Sequence, residues 1–224
     1  MNKLIVPAIR NFLLGVILFG IMLFLPAWTL NYWQAWVFIA VFMVLVSAGG
    51  LYFSMKDPKL IERRTQVTTE KTTMAQKIFI VIAFAADIAL LVFSAFDHRF
   101  GWSKVPAYVS LAGDVLVALS FLIWYFVFKE NSFAASTVQT FEEQKVIATG
   151  PYAFIRHPLY VGVLVLIIGI PLALGSRWGL AFLVLVIGGL VWRITDEEKV
   201  LKKDLPGYMK YMQKVKYRLV PYIW

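Results

Sequence analysis

The chain has 224 residues, of which 60% are hydrophobic and only 16% charged, with a mean hydropathy of +0.74. Soluble domains average about 45–50% apolar and about 25% charged residues, so water is excluded as the main solvent. Cysteine is absent and His98 and His157 are the only histidines, which excludes disulfides, thiolate metal sites, a cysteine nucleophile and a histidine-rich metal centre. The formal charge of +9 reads as topology signals and anionic-lipid contacts beside apolar spans, so no nucleic-acid partner is expected.

The first apolar block, 11–30, follows Lys3 and Arg10 and superficially resembles a signal peptide. No small-residue cleavage pattern follows it, and Trp28, Tyr32, Trp33 and Trp36 form an aromatic cluster suited to a membrane interface. An uncleaved first helix is therefore expected. Further blocks lie at 33–55, 77–96, 107–128, 159–174 and 178–192. Crossing a hydrocarbon core of about 30 Å takes about 20 helical residues, so the fold class expected is all-α, a polytopic membrane bundle of about six transmembrane helices. The last two blocks are short, and Pro171 and Gly175 between them predict a tight helical hairpin.

The basic residues test this division, because alternate connections should hold most of them. Of the 22 Lys and Arg, with Lys77 at the block boundary counted in the third segment, 19 fall in the first, third, fifth and seventh non-spanning segments and 3 in the others. Both termini and the two charged loops are thus expected in the cytoplasm, with the protein in an inner membrane. The chain divides at residue 128: 1–128 supplies helices one to four, and 129–224 two polar stretches flanking the final hairpin.

Those stretches, 129–158 and 193–224, are too polar and irregular to be simple connectors. The hairpin returns both to one membrane face, which brings Arg156 and His157 to the same side as Arg193, Glu197 and Glu198. Pro158 suits the first turn of a helix, and His157 before it is biased toward extended geometry. The helix start then offers free N–H groups and partial positive charge, a place for a carboxylate or phosphate. The alternative is structural: Arg156 anchors lipid headgroups and His157 caps the helix. Arg193 and Glu197, four residues apart, share a helix face and suit an ion pair, with Glu198 on an adjacent face.

The ordered set Gly150-Pro151-Tyr152, Arg156-His157-Pro158, Tyr160, Gly162, a hydrophobic hairpin, Arg193, Glu197-Glu198, Tyr208, Tyr211 and Arg218 through Pro221 resembles the isoprenylcysteine carboxyl methyltransferase family. Related phospholipid N-methyltransferases share this C-terminal half. The resemblance covers roughly 129–224, and 131–144 is similar to the lead-in of bacterial members. It implies an S-adenosylmethionine-dependent methyltransferase with a cytosolic cofactor pocket built from the last two helices and the tail. Carried over by motif, Tyr152, His157, Tyr160 and Glu197 or Glu198 would hold the cofactor, with Gly150 close by; Arg156 and Arg193 would orient an anionic group of the substrate in the catalytic step. No metal site is expected.

Methyl transfer from a sulfonium needs in-line positioning and a desolvated nucleophile more than a strong acid or base. A pocket at the bilayer edge offers both, and the faces of Tyr152 and Tyr160 suit a sulfonium cation. The expected partners are a lipophilic small molecule or lipid-modified substrate and membrane lipids, with a carboxyl, amine or thiol accepting the methyl group. Two buried-looking carboxylates inside apolar blocks, Asp87 and Asp114, are functional candidates: Asp87 is expected to line a substrate path or to bond across helices, while Asp114, seven residues past Ala107, has the alternative of simply lying near the far interface. An NADPH-dependent lipid or sterol-type reductase and a non-enzymatic scaffold or transporter are the competing readings.

Overall fold

The computed structural model describes residues 2–66, 72–137, 140–141 and 143–224, with side chains from Val6 onward. Lys71 and the side chain of Lys3, both in the charge count, lie outside the described residues, as do Val138, Gln139 and Glu142 of the 131–144 stretch. Eight α-helices follow in order: α1 (Asn2–Ala27), α2 (Trp33–Lys56), α3 (Pro58–Thr65), α4 (Met74–Phe100), α5 (Ala107–Glu130), α6 (Pro158–Ala173), α7 (Phe182–Asp204) and α8 (Tyr208–Lys214). Short 3₁₀ turns occupy Gly150–Ala153 and Trp178–Ala181, and no strand occurs among the described residues.

Among the described residues, five stretches are long and apolar enough to cross a membrane: Val6–Ala27, Trp33–Lys56, Met74–Phe100, Ala107–Glu130 and Trp178–Asp204. The expected fifth span is different. α6 has 16 residues, about 24 Å of helix at about 1.5 Å per residue, short of a bilayer core. It contacts α2, α4, α5 and α7, and its buried Ile167, Gly169, Ile170 and Ala173 face protein. A helix enclosed in this way is not obliged to match the membrane thickness.

The helix ends also differ from the apolar blocks, for local reasons. α4 starts at Met74, three residues before Lys77, because Thr73 and Gln76 form a reciprocal capping box. It runs to Gly101, whose φ of 64° supplies the left-handed stop. α7 continues past Trp192 to Asp204, so Arg193, Glu197 and Glu198 stand on a rigid extension of a spanning helix. The helices α3 and α8 carry no long apolar block and were not expected.

The α5–α6 crossing depends on absent side chains. A Cβ on Gly113 would collide with the backbone of Leu172 and Ala173, and one on Gly169 would lie 3.0 Å from the Gly113 carbonyl oxygen. Small residues at such a contact let helix backbones meet closely, which is how membrane helices gain packing energy without a hydrophobic drive between them.

At the end away from the motif residues, the hairpin turn is bolted to α4. Asp97, fully buried, accepts hydrogen bonds from the Ser103 N–H (2.7 Å), the Ser103 hydroxyl (2.7 Å) and the Ser176 hydroxyl (2.5 Å). The Tyr32 hydroxyl donates to the Leu174 carbonyl at 2.6 Å, with its ring stacked on His98 at 3.8 Å. Gly175, at φ 73°, makes the turn itself.

The two flagged carboxylates diverge. Asp114 is buried, with neither carboxylate oxygen hydrogen-bonded. Asp87 is exposed on α4, a correction to its expected burial: the apolar run around it does not reveal which face of the helix meets neighbours.

The crossing yields a contrast at constant chemistry. Gly113→Ala should destabilise the protein in detergent by about 2 kcal/mol or more, as overpacking does, whereas Gly188→Ala, with nothing within 4 Å of the added carbon, should leave the thermal midpoint unchanged or slightly raised. Thermal unfolding of both variants checks this.

Candidate functional site

The segment before α6 is held extended by the C-terminal tail. The Arg156 N–H donates to the Tyr217 carbonyl (2.9 Å) and the His157 N–H to the Arg218 carbonyl (3.0 Å). Pro158 then begins α6 in its first turn, and the His157 side chain makes no capping bond to the helix. The imidazole is thereby free to face α7. The capping alternative is thus not what the fold uses.

On α7 the two adjacent glutamates do different things. Glu198 is 2% exposed and gathers basic side chains: Arg156 Nε at 3.0 Å, His157 Nε2 at 3.4 Å, Arg218 Nε and Nη2 both at 3.2 Å, and Lys202 Nζ at 3.9 Å. The Arg156 contact is a close charge pair without hydrogen-bond alignment. With so many donors, Glu198 acts as a carboxylate that stitches α6, α7 and the tail together. Glu197 instead accepts from the Tyr160 hydroxyl at 2.6 Å and lies 4.0 Å from His157 Nδ1.

The expected Arg193–Glu197 ion pair is not formed. Tyr160 comes between them: its hydroxyl donates to Glu197 and accepts from Arg193 Nε at 3.3 Å. Arg193 also donates through Nη2 to the Ser136 carbonyl at 2.9 Å and lies 5.7 Å from the Phe79 ring centre. Both side chains point toward α6, so the residue facing them on that helix takes the contact that helix spacing alone would assign to the pair.

These groups border one cavity. Tyr152, Arg156, His157, Tyr160, Arg193 and Glu197 line it, together with residues of the 131–147 stretch and Tyr208 and Tyr211 near the C-terminus. Two expected site residues do not. Glu198 lies behind the wall, and Gly150, at φ 55°, sits against Glu130, whose Cγ would be 2.6 Å from an added Cβ. Gly150 therefore serves a turn that only glycine enters easily.

The cavity wall contains buried polar atoms without protein partners: Arg193 Nη1, the Tyr208 hydroxyl and Thr137 Oγ1. Buried polar groups are nearly always paired, so a donor set concentrated on one cavity points to a polar ligand. Burial pushes the Tyr211 phenol up to about 12 despite the opposing Arg156, and raises Tyr152 further. Both stay protonated at neutral pH. Tyr211 spends its proton on the Tyr152 carbonyl (2.7 Å), and the Asn131 amide donates to the Tyr152 hydroxyl (2.9 Å). No cluster of three or more metal-ligating residues occurs among the described residues.

Several supports were not legible as site residues. Trp124 donates to the Leu159 carbonyl at 3.0 Å, and its ring occupies the space that a Cβ on Gly162 would need. Asn131, Ser136 and Thr137 reach the site from the loop after α5. None of these carries a local signal, because each matters only through a neighbour distant in sequence.

With this geometry in hand, comparison with known proteins bears most on the C-terminal half. Residues 108–205 match the family model described as phospholipid methyltransferase. Over this segment the chain is similar to phospholipid methyltransferases. The segment contains α6, most of α5 and all of α7, and therefore both sides of the cavity. The whole chain shares its fold with a eukaryotic intramembrane Ras methyltransferase, isoprenylcysteine carboxyl methyltransferase: TM-score 0.58, 18% identity, covering 99% of this chain and 86% of that one. The protein is thus an integral membrane protein with a methyltransferase-type fold. It is also 24% identical to the Delta(14)-sterol reductase of Mus musculus over 53% of its own length. The chain matches only about a third of that relative, 33%.

The two adjacent glutamates of α7 should separate on substitution. Glu198→Gln leaves Arg156 and Arg218 short of a buried counter-charge and should cost about 3–5 kcal/mol of stability. Glu197→Gln, whose side chain is 28% exposed, should cost about 1 kcal/mol. Denaturation midpoints in matched detergent discriminate the two.

Proposed function

We propose that the protein is an S-adenosylmethionine-dependent methyltransferase acting on a lipophilic acceptor at the cytoplasmic membrane face. The observation that carries this reading is the set of unpartnered polar atoms, Arg193 Nη1 foremost, on residues that line a cavity between α6 and α7, within the segment similar to phospholipid methyltransferases.

The residues suit such a cofactor. Its amino-acid end carries a carboxylate, for which Arg156 and Arg193 supply cationic donors and His157 a ring N–H; its positive centres find Glu197 and the ring faces of Tyr152 and Tyr160. Glu198 and Gly150 act from behind, the one holding Arg156 and His157 in place, the other shaping the turn. When bound, the cofactor supplies a methyl group already activated on sulfur. The chain's own task is to orient and to exclude water. Tyr160, held between Glu197 and Arg193, fixes the inner wall, and Tyr152 is held by Asn131 and Tyr211. Arg193 keeps one guanidinium N–H pair free to place an anionic group of the acceptor. A wall formed by spanning helices lets an apolar acceptor approach from the bilayer, which favours a carboxyl, amine or thiol on a lipid-like body.

The reductase reading has one specific support, the partial likeness to a sterol reductase. Separate titrations of the purified chain with S-adenosylmethionine and NADPH decide between them, and saturable binding of NADPH alone would overturn the methyltransferase proposal.

Two further outcomes are expected. His157→Ala and Tyr160→Ala should each weaken S-adenosylmethionine binding about tenfold or more by calorimetry, while Arg193→Lys should bind within a few fold of wild type yet lose most turnover, because an ammonium cannot reproduce a planar fork of donors. Reporter fusions at Gly101 and Trp224 should report opposite sides of the membrane, with Trp224 in the cytoplasm; identical signals would remove the cytoplasmic placement.

A further inference from the structure

A second cleft lies where α2 and α5 leave the membrane, separate from the cavity described above but sharing Phe133 as a wall. The two helices run side by side there. Phe53 and Phe128 meet edge to face at 5.8 Å, and Tyr52 and Tyr125 lie 5.5 Å apart. Lys56 ends α2, Lys129 stands one residue before the end of α5, and Lys59 follows on the first turn of α3. All three line the cleft and are exposed, and no ion pair holds any of them among the described residues.

The fourth cation is built in. The Arg63 guanidinium lies 4.6 Å from the Phe133 ring centre and 4.5 Å from that of Phe141, and donates to the Ser132 carbonyl at 2.7 Å. Two carboxylates also line the cleft. Asp57 is committed as the N-cap of α3, accepting from the Leu60 N–H at 3.1 Å, which leaves Glu143 at the rim as the other. The balance is positive, with three lysine ammoniums uncommitted.

What lies on the membrane side of the cleft decides the kind of anion. Met55, Leu122 and Phe126 are 66%, 50% and 48% exposed, and Tyr52, Phe53 and Phe128 form the apolar part of the cleft itself. A charged mouth at the end of two spanning helices, continuous with a lipid-facing apolar stripe, fits an amphiphile and leaves half its surface idle with a soluble ion. Lysines at this depth attract anionic lipid, and here they converge on a shaped cleft.

We infer that this cleft is a binding site for the phosphate headgroup of an anionic phospholipid, its acyl chains lying along α2 and α5. The site goes beyond the methyl-transfer reading and does not depend on it.

The test uses the full chain in nanodiscs of phosphatidylcholine with increasing phosphatidylglycerol, reading retained lipid by native mass spectrometry. Wild type should retain about one phosphatidylglycerol per chain in preference to phosphatidylcholine. Replacing Lys56, Lys59 and Lys129 together by Gln should lower that preference at least about tenfold, and replacing the three by Arg should preserve it. Replacing Lys199, Lys203 and Lys210, which are exposed elsewhere on the same face, by Gln removes equal charge and should change retention less than twofold. Equal losses in both Gln triples would overturn the site in favour of diffuse surface charge. Displacement of the lipid by millimolar inorganic phosphate would also overturn it, assigning the cleft to a soluble anion. Because the readout is retained lipid, failure here leaves the methyltransferase reading untouched, and failure of S-adenosylmethionine binding leaves this site untouched.

Discussion

The buried carboxylate of Glu198 is the interaction on which the functional end of the molecule depends. It lies on the extension of α7 and is met by Arg156 and His157 from the segment before α6 and by Arg218 from the tail. Three stretches widely separated in the chain are thereby held at one point. A carboxylate in such surroundings is favourable only while its cations remain, since desolvating a charge is costly and its partners must repay it. The network is thus specific in geometry more than generous in stability. It sets the direction of the His157 ring and the path of the tail, and with them two walls of the cavity.

That arrangement needs α6 and α7 to arrive at the cavity end in a fixed relation, which is decided at the opposite end. Asp97, Ser103 and Ser176 tie the hairpin turn to α4, Tyr32 ties α2 to Leu174, and Gly113 lets α5 lie directly on α6. The hydrogen bonds are made where few competing partners exist, and the helix contact is as close as backbone allows. The short α6 becomes the axis of the bundle, so the motif at its N-terminus is positioned by packing on all sides and not by loops.

The cavity and the lysine-lined cleft share the 131–147 stretch and Phe133, which makes this connection more than a link between halves. Its residues contribute the Ser136 carbonyl to Arg193 and Phe133 to Arg63. One segment therefore touches the cation that faces the first cavity and the cation that closes the second. Lipid surface and candidate active site meet there.

How much of this was legible in the chain differs between levels. Composition and apolar blocks suffice for a helical membrane protein, because a spanning segment must satisfy its own backbone and present apolar side chains along its length. The order of Arg156, His157, Tyr160, Arg193 and Glu197 sufficed to bring these residues together around one cavity, because a hairpin necessarily returns its outer ends to one face. Pair identities were not legible. Glu197 and Glu198 are neighbours with the same chemistry, and only the approach of α6 and the tail makes one a buried hub and the other a wall of the cavity; Arg193 and Glu197 have the spacing of an ion pair, and only Tyr160 from another helix separates them. The burial of Asp114 and the exposure of Asp87 follow the same rule: residue type and spacing determine what a side chain is able to do, while its surroundings, supplied by segments remote in the chain, decide which of those things it does.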